Sequence, residues 1–519
     1  MANFITAAQA AQLVKDGDTV AFGGFGAYCG PDALLAALGA RFRETGAPKN
    51  LTSVTGISCG DNSGGEVGMN QVAYEGLLGT IIAGHLGNPP RLGALAAQDK
   101  VAAYCLPLGV VMNLYRAIAA KKSGVLTSVG LGTYADPRVE GCKINGKARA
   151  QGREVVRLLE LDGKAQLFYP AFPINICFIR GSYADEQGNI SVEREALTGA
   201  ELEIAAATRN SGGIVVVQVE RIVEGGSLHP RRVRIHRSLV DYVVEAPAGQ
   251  SYAAAYRPEL DGTVRCPVDA LEPMELTVRK VIARRAAMEL REGCVINLGI
   301  GLPSGVGSVA NEEGITALLS LESGPLGGVP VEGLGFAASV NPETINSLCD
   351  TFDLYDGGYL DMTFLGAAEI DRHGNVNVSK FGTRCTGPGG FINISQNTPR
   401  VFFLGTFTAG KSKLDIADGA LHIVEDGPGM KFVDAVQQIT FSADYACTSG
   451  QEVWYITERA VFRLTPERLM LTEIAPGADL ERDILAHMAF RPLIAPDLKP
   501  MDPRLFRPDV MGIARDGGR

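Results

Sequence analysis

ALLSLESGPLGG, at residues 317–328, places a single acid, Glu322, between an apolar run and a turn rich in glycine and proline. The run at 317–319 predicts a short buried strand, and the residues after Glu322 predict a sharp turn. Glu322 is therefore expected where the backbone leaves a sheet, and in open α/β sheets ligands bind at that rim. A carboxylate held there can act as a nucleophile, because carboxylates form covalent intermediates. The alternative is a structural role, in which Glu322 caps the turn or a following helix.

One α/β pattern occurs twice in the chain: a helix, an acidic residue followed by glycine, a strand and a glycine-rich loop. The first copy covers residues 6–26 and the second covers residues 281–303. They align without a gap from the acidic residue to the first loop glycine. The loop residues are Gly23, Gly24, Phe25 and Gly26 in the first copy, and Gly299, Ile300 and Gly301 in the second.

A second pair of similar stretches follows the first. The motif Asp-x-x-Gly-Asn occurs at 185–189 and again at 371–375, and in both places it predicts a turn between strands. Continuous apolar runs follow at 214–219 and 401–405. Strands without polar alternation suit a parallel sheet covered by helices on both faces, so the predicted fold class is α/β.

The repeated order of elements predicts two related halves. The first half is expected at residues 1–250, with an insertion within 90–165 because its repeats are more widely spaced. A linker is expected at 251–273, in a stretch rich in Pro, Ala, Gly, Asp and Glu. The second half is expected at 274–495 and carries Glu322. Residues 496–519, rich in Pro, Asp and Arg, are expected to form an extended tail, packed on a neighbour or frayed.

Composition narrows the class of function. The chain has 519 residues and a net charge of −10, which argues against nucleic acid or an anionic membrane as the main partner. Its ten cysteines include no C-x-x-C and its six histidines are isolated, so reduced thiols and no metal site are expected. The N-terminus lacks the pattern of a signal peptide and no run reaches the length of a membrane span. We therefore expect a cytoplasmic protein.

Glycine-rich loops are the remaining chemical signal. A third loop covers Gly387, Pro388, Gly389 and Gly390, and such loops let backbone N–H groups approach a ligand without an intervening Cβ. G-x-G-x-x-G, the phosphate-loop motif and G-x-S-x-G are all absent, which disfavours a dinucleotide enzyme, an NTPase and a serine hydrolase. Lys411 could hold a phosphate as a point charge, or could be a solvated surface lysine.

Taken together, these motifs resemble the family I coenzyme A-transferases. The similarity rests on ESGPLGG from Glu322, NLGIGLP from Asn297, GPGG from Gly387 and GGFG from Gly23. It is closest to the propionate/acetate CoA-transferase branch, in which both halves are fused in one chain. Further stretches that are similar to that branch are YPAFPI at 169–174, RGSYAD at 180–185, GIVVVQVER at 213–221 and FINISQNTP at 391–399.

The resemblance implies two related, open, Rossmann-like CoA-transferase domains with mostly parallel sheets covered by helices. It implies that Glu322 is acylated during turnover and that N–H groups of the second and third glycine loops polarise the thioester oxygen and contact CoA. Lys411 would hold a CoA phosphate, and the first glycine loop would lie on the substrate side. Residues 299–301, 389–390, 411 and 23–26 are thus the expected binding residues beside the catalytic Glu322.

The expected reaction moves CoA from a short-chain acyl-CoA to a short-chain carboxylate such as propionate, acetate or lactate, with ping-pong kinetics and a glutamyl-CoA thioester. Coenzyme A is a substrate in this scheme, no cofactor is bound permanently, and the enzyme is expected to be a homo-oligomer, a dimer or a tetramer. An acyl-CoA thioesterase and a non-catalytic sensor of CoA metabolites are the alternatives. A sugar-phosphate isomerase is disfavoured, because it needs neither the duplicated halves nor this glutamate motif.

Overall fold

A computed structural model describes residues 2–246, 256–267, 274–331 and 333–516. The chain forms two compact units, and each is built from several segments. Unit 1 contains Met1–Cys266, Glu322–Asp353 and Ser379–Asn393, whereas unit 2 contains Pro267–Leu321, Leu354–Val378 and Ile394–Arg519.

Unit 1 is organised around a fully parallel eight-stranded sheet. Its strands are rich in Val, Ile and Ala and are almost wholly buried, as expected for a parallel sheet covered by helices. In spatial order they are Asn3–Phe4, Tyr242–Glu245, Ile214–Val219, Ile176–Arg180, Thr19–Phe22, Leu51–Ile57, Leu78–His85 and Ala102–Cys105.

Helices and smaller sheets complete unit 1. The helices that lie wholly within it are Ala7–Gln12, Asp32–Thr45, Pro90–Ala97, Leu108–Ala119, Gly146–Gln151 and Glu201–Asn210. A three-stranded sheet of Gly124–Thr127, Lys164–Pro170 and Arg157–Leu161 lies largely in the region where the insertion was predicted. The other short strands are Tyr183–Asp185, Ile190–Ser191, Arg221–Val223, Val233–Ile235, Pro325–Leu326, Val329–Pro330, Ser339–Val340, Thr344–Ile345, Lys380–Phe381 and Arg384–Cys385.

Unit 2 contains eight strands side by side, in the order Leu318–Ser320, Val295–Leu298, Met362–Gly366, Arg400–Leu404, Glu452–Ile456, Ala460–Leu464, Leu469–Ile474 and Leu493–Pro500. The first five are parallel, and Ala460–Leu464 is antiparallel to both of its neighbours. The helices within this unit are Val278–Ala287, Gly305–Glu313 and Ala443–Ser449, while Leu348–Asp356 and Phe391–Asn397 contain unit boundaries. Its other strands are Glu369–Asp371, Val376–Asn377, Thr408–Ala409, Lys413–Ala417, Ala420–Glu425, Gly429–Met430 and Phe432–Val433.

The strand order confirms the predicted α/β fold with two related sheets. Counted from the strand before the first glycine loop, Thr19–Phe22 has Ile176–Arg180 on one side and Leu51–Ile57 on the other. Val295–Leu298 has Met362–Gly366 and Leu318–Ser320 in the same positions. The chain therefore repeats one arrangement of strands.

The repeated Asp-x-x-Gly-Asn turns have the same hydrogen bonds. Asn189 Nδ2 donates to Asp185 Oδ2 at 2.9 Å, and Asn375 Nδ2 donates to Asp371 Oδ2 at 3.0 Å. The glycine before each asparagine has a φ of 93° or 94°, a conformation that residues with a Cβ rarely adopt. The prediction of these turns is correct in both copies.

The tail differs from the expectation of a frayed arm. Leu493–Pro500 pairs in parallel with Leu469–Ile474, and Arg284 donates to four backbone carbonyls of the residues that follow. Through residue 516 the tail is part of unit 2, and the buried Arg284 guanidinium holds it there by donating to its backbone carbonyls. The carbonyls belong to Arg504, Leu505, Arg507 and Asp509.

The compact units do not follow the predicted boundaries in sequence order, because unit 1 takes two segments from the second half. The division into halves at 1–250 and 274–495 is a statement about sequence duplication and stays a prediction. Of the predicted linker, residues 251–255 and 268–273 lie outside the described part of the chain.

Candidate active site

Glu322 follows the strand Leu318–Ser320 by two residues, at the predicted position. The backbone then turns sharply: Gly324 has a φ of 122°, and a Cβ there would lie 2.2 Å from the carbonyl oxygen of Asn346. Ser323 donates from its hydroxyl to the carbonyl of Ala337. The residues on the C-terminal side of Glu322 are therefore fixed by a mandatory glycine and a side-chain hydrogen bond.

The carboxylate of Glu322 lies against the backbone of Gly390. A Cβ on Gly390 would be 2.0 Å from Glu322 Oε2, so any larger residue here would displace the carboxylate. The N–H of Gly390 donates to the carboxylate, which favours the charged form, but burial of the side chain outweighs this hydrogen bond. The pKa of Glu322 is consequently raised from its ordinary value of 4.5 to about 7.

The third glycine loop is attached to the end of a strand in unit 1. The N–H of Gly389 donates to the carbonyl of Gly84 at 3.0 Å, and the carbonyl of Gly389 accepts from the N–H of Leu108 at 3.0 Å. The N–H of Gly389, a predicted oxyanion donor, is thus bonded within the backbone. Gly390 is the residue of this loop whose N–H contacts the glutamate.

The first glycine loop is closely packed. Gly24 has a φ of 113°, and a Cβ on it would lie 2.9 Å from the Cβ of Cys59. The N–H of Gly23 donates to the carbonyl of Phe178 at 2.9 Å. Phe25 is buried, with an exposed fraction of 2%, so its side chain packs in the interior.

Gly26 brings together residues that the sequence did not single out. A Cβ on Gly26 would lie 3.2 Å from Cζ of Phe336 and 3.6 Å from Nδ2 of Asn88. Tyr28 donates from its hydroxyl to the carbonyl of Gly335 at 3.2 Å. Phe336 is 14 residues beyond Glu322 and Asn88 is far from both in sequence. The tertiary fold brings these residues together, and no local sequence motif predicts that they meet.

The second glycine loop and Lys411 lie in unit 2. The N–H of Gly299 donates to the carbonyl of Phe364 at 2.8 Å, so this predicted oxyanion donor is also used internally. Ile300 is 68% exposed, and the space around a Cβ on Gly301 is empty to 4 Å. Lys411 is exposed and precedes the strand Lys413–Ala417.

Metal-ligand clusters and membrane-spanning helices are both absent from the part of the chain that the structure describes. The described His, Cys, Asp and Glu side chains form no group of three that could hold a metal ion. The described helices include none with the length and apolar character needed to cross a membrane.

Comparisons with known proteins agree with this architecture. A family model described as "Coenzyme A transferase" matches residues 4–246. The chain is 45% identical to caffeate CoA-transferase of Acetobacterium woodii over 517 residues, covering 98% of each chain. It is 40% identical to acetate CoA-transferase YdiF of Escherichia coli O157:H7 over 513 residues, covering 98% of this chain and 96% of YdiF.

Solved structures show the same fold. The apoenzyme of acyl-CoA transferase YdiF from E. coli O157:H7 superposes with a TM-score of 0.93, covering 98% of this chain and 97% of that one. A thioester complex of YdiF with CoA gives a TM-score of 0.91 at 40% identity. These matches confirm the family resemblance: the chain belongs to the coenzyme A transferase family, as an enzyme of the fused two-half type.

Proposed function

We propose that this enzyme moves CoA from a short-chain acyl-CoA to a short-chain carboxylate, of the propionate, acetate or lactate type, through a thioester between Glu322 and CoA. The observation that carries the proposal is the contact between the partly buried Glu322 carboxylate and the N–H of Gly390. Among the relatives, YdiF, at 40% identity, is named an acetate CoA-transferase, which supports a short acid, whereas the relative at 45% identity is named a caffeate CoA-transferase, for an aromatic acid.

The chemistry needs only groups that Glu322 and its surroundings supply. A carboxylate oxygen of Glu322 attacks the acyl-CoA carbonyl and CoA leaves as a thiolate, giving a mixed anhydride. The thiolate then attacks the glutamyl carbonyl carbon, and the donor acid leaves as a carboxylate. The incoming carboxylate attacks the glutamyl thioester, and the returning thiolate attacks the new acyl group, which restores Glu322.

Gly390 has a distinct role in this scheme. Its N–H already contacts the carboxylate, so it is positioned for the oxygen on which negative charge develops when the glutamyl carbon is attacked. Preorganised donors of this kind act without reorganisation at the moment of reaction. Burial also raises the basicity of the nucleophile, at the cost of a smaller ionised fraction at neutral pH.

The remaining contacts to CoA are assigned by motif. The N–H groups of the exposed residues Ile300 and Gly301 and the ammonium of Lys411 are proposed to contact CoA, with Lys411 on a phosphate. The first glycine loop, at 23–26, is proposed to lie on the substrate side through its backbone. CoA enters and leaves as a substrate.

Setting and assembly complete the proposal. All ten cysteines are free thiols, which supports a reducing compartment such as the cytoplasm. We propose a homo-oligomer, a dimer or a tetramer, which light scattering on the purified chain tests directly.

Trapping is the experiment that tests the function. Incubated with propionyl-CoA and no acceptor acid, the enzyme is expected to accumulate the glutamyl-CoA thioester. Borohydride should reduce it and hydroxylamine should convert it to a hydroxamate, so either reagent should inactivate only when acyl-CoA is present. Peptide mass analysis should place the change within residues 317–331.

The same experiment separates the alternatives. A thioesterase that activates water, or a sensor that only binds CoA, forms no covalent state on Glu322. A modification elsewhere, or none during turnover, contradicts the proposed mechanism. Release of free CoA without consumption of a second acid would identify a thioesterase.

A further inference from the structure

The segment that follows Glu322 folds back on itself. Val329–Pro330 pairs with Ser339–Val340, and a short helical turn at Gly333–Gly335 forms the tip. The tip is held by the hydrogen bond from Tyr28, and the base by the one from Ser323 to Ala337. Since Ser323 is the neighbour of Glu322 and Ala337 is the neighbour of Phe336, these bonds hold the backbone on either side of Phe336 in place and join it to the residue after Glu322.

The backbone of Ala337 is held in an unfavourable conformation by the contacts around it. Its φ of 83° lies in a region that residues with a Cβ rarely adopt. Strained residues of this kind persist where surrounding contacts fix them, and they cluster at functional sites. The carbonyl of Ala337 is the group that Ser323 holds.

The Phe336 ring lies where a side chain on Gly26 of the first glycine loop would otherwise be. Its Cζ lies 3.2 Å from the Cβ position of Gly26, whose φ of 56° favours glycine. The ring is itself partly exposed, and so is Glu322. The aromatic ring thus lies against Gly26, and the backbone next to it is hydrogen-bonded to the residue after Glu322.

Asn88 supplies an independent sign of a ligand. Its side chain is 5% exposed, and its Nδ2 has no hydrogen-bond partner among the described residues. An unpaired buried amide donor is unfavourable and rare in folded proteins. The Nδ2 lies 3.6 Å from the Cβ position of Gly26, on the same side as the Phe336 ring. An oxygen of a bound acyl group would satisfy this donor.

We propose that Gly26, Asn88 and Phe336 form the acyl subsite, in which Asn88 binds an acyl oxygen and the Phe336 ring limits the length of the chain. The inference rests on the proposed function and adds which residues select the acid. We expect transfer to straight-chain acids from acetate to butyrate, and we expect longer or aromatic acids to require removal of the ring.

The test is the F336A variant, assayed for transfer to propionate and to hexanoate. Because one methylene in an apolar pocket changes kcat/KM by about 10- to 200-fold, we expect the hexanoate-to-propionate ratio of kcat/KM to rise at least about tenfold. Phe4→Ala removes an exposed ring from an outer strand and is the matched control, for which the wild-type ratio is expected. Thermal unfolding shows whether both variants keep the fold.

A second variant tests the donor. Asn88→Leu keeps the approximate size and removes the amide, so kcat/KM should fall at least about tenfold for all acids alike while the chain-length ratio stays unchanged. Wild-type kcat/KM in this variant would overturn the role of Asn88.

The outcomes distinguish the inference from the proposed function. A folded F336A enzyme with the wild-type ratio, or with no activity on any acid, overturns the role of Phe336 as the size limit. The proposed function then still stands if the wild-type enzyme forms the thioester on Glu322. If the wild-type enzyme forms no thioester, the proposed function fails whatever the ratio shows.

Discussion

The state of ionisation of Glu322 is the decisive property at the residue scale. Its pKa is raised to about 7 by burial, which the single hydrogen bond from Gly390 does not offset. Only the ionised carboxylate attacks a thioester. We therefore expect kcat/KM to rise with pH up to about 7 and to level off above it. A profile measured from pH 5 to 9 checks this, and a flat profile across that interval would contradict the raised pKa.

Substitution of Glu322 tests the same residue by chemistry. Glu322→Ala should abolish transfer, because no other group forms the anhydride. Glu322→Asp should lose roughly 10²-fold in kcat, since a displacement of about 1 Å spoils the attack geometry. Steady-state assays of purified variants with unchanged circular dichroism provide the measurement, and an active alanine variant would refute the assignment.

The stability of the fold should fall as pH rises, whereas kcat/KM rises. The folded state holds a proton on Glu322 up to about pH 7, whereas an exposed glutamate loses it near 4.5. Folding therefore becomes less favourable as pH rises through this window. Glu322→Gln should unfold at a higher temperature than the wild type at pH 8 and at a similar temperature near pH 4. Exposed Glu467 gives a control substitution, Glu467→Gln, for which no such pH-dependent difference is expected.

The sequence predicted only part of the site at this scale. Glu322 was found because an acid stood between an apolar run and a glycine turn. Consecutive glycines, however, do not reveal which N–H groups are already bonded, so Gly299 and Gly389 were predicted as donors although their N–H groups serve the backbone. Asn88 and Phe336 were not predicted from the sequence, because only the tertiary fold brings them together.

At the element scale, the third glycine loop offers a matched pair of substitutions. Gly390→Ala should reduce kcat at least about 10²-fold, because the new Cβ would collide with Glu322 Oε2 and displace it by about 1 Å. Gly389→Ala should chiefly lower stability, by about 1–2 kcal/mol, since its φ of 53° is left-handed and its nearest neighbour is 3.6 Å away. Activity assays and thermal melts on both variants measure these effects. Equal losses of kcat in the two variants would contradict the separate roles of Gly390 and Gly389.

The docked tail gives another prediction for an element. Buried Glu313 accepts hydrogen bonds from the N–H groups of Met511, Gly512 and Ile513. Glu313→Ala should destabilise unit 2 by about 2–4 kcal/mol, because these buried donors lose their acceptor. Chemical denaturation measures the loss, and Glu467→Ala, at an exposed position, is the control. An unchanged midpoint would show that the hydrogen bonds of Glu313 to the tail contribute no stability.

Local pattern predicted elements whose hydrogen bonds are local. The two Asp-x-x-Gly-Asn turns were predicted correctly because every partner lies within five residues. The tail was not, because Arg284 lies more than 200 residues before the carbonyls that it binds. A sequence rich in proline looks extended until such a distant partner is known.

For the whole molecule, the repeated apolar strands of the sequence predicted the α/β class. They did not predict which segments of the chain belong to unit 1 and which to unit 2. Segments 322–353 and 379–393 follow the duplicated pattern of the second half and yet belong to unit 1. The Asn393 side chain accepts from the N–H of Gly109 at 3.1 Å, and the Cys349 thiol donates to the carbonyl of Met112. Such contacts are set by surfaces that only the folded chain presents.

A divided chain tests this organisation. Residues 1–266 expressed alone should not fold cooperatively, because two segments of unit 1 are missing. Co-expression with residues 267–519 should restore transfer and the trapped thioester on Glu322. The intact chain with a protease site at the same junction, left uncut, is the control. Cooperative unfolding of the first fragment by itself would contradict the expectation.

The interleaved membership of unit 1 also has a consequence for synthesis in the cell. A ribosome delivers the chain from the N-terminus, so unit 1, whose eight sheet strands are all made by residue 245, cannot receive its last segment until residue 393 has been made. At about 5–20 residues per second, the nascent chain waits for several seconds with that surface uncovered. Apolar side chains near Gly109 and Met112 are therefore available to chaperones throughout that interval, and translation pauses placed before residue 393 should lower the yield of active enzyme more than pauses placed after it.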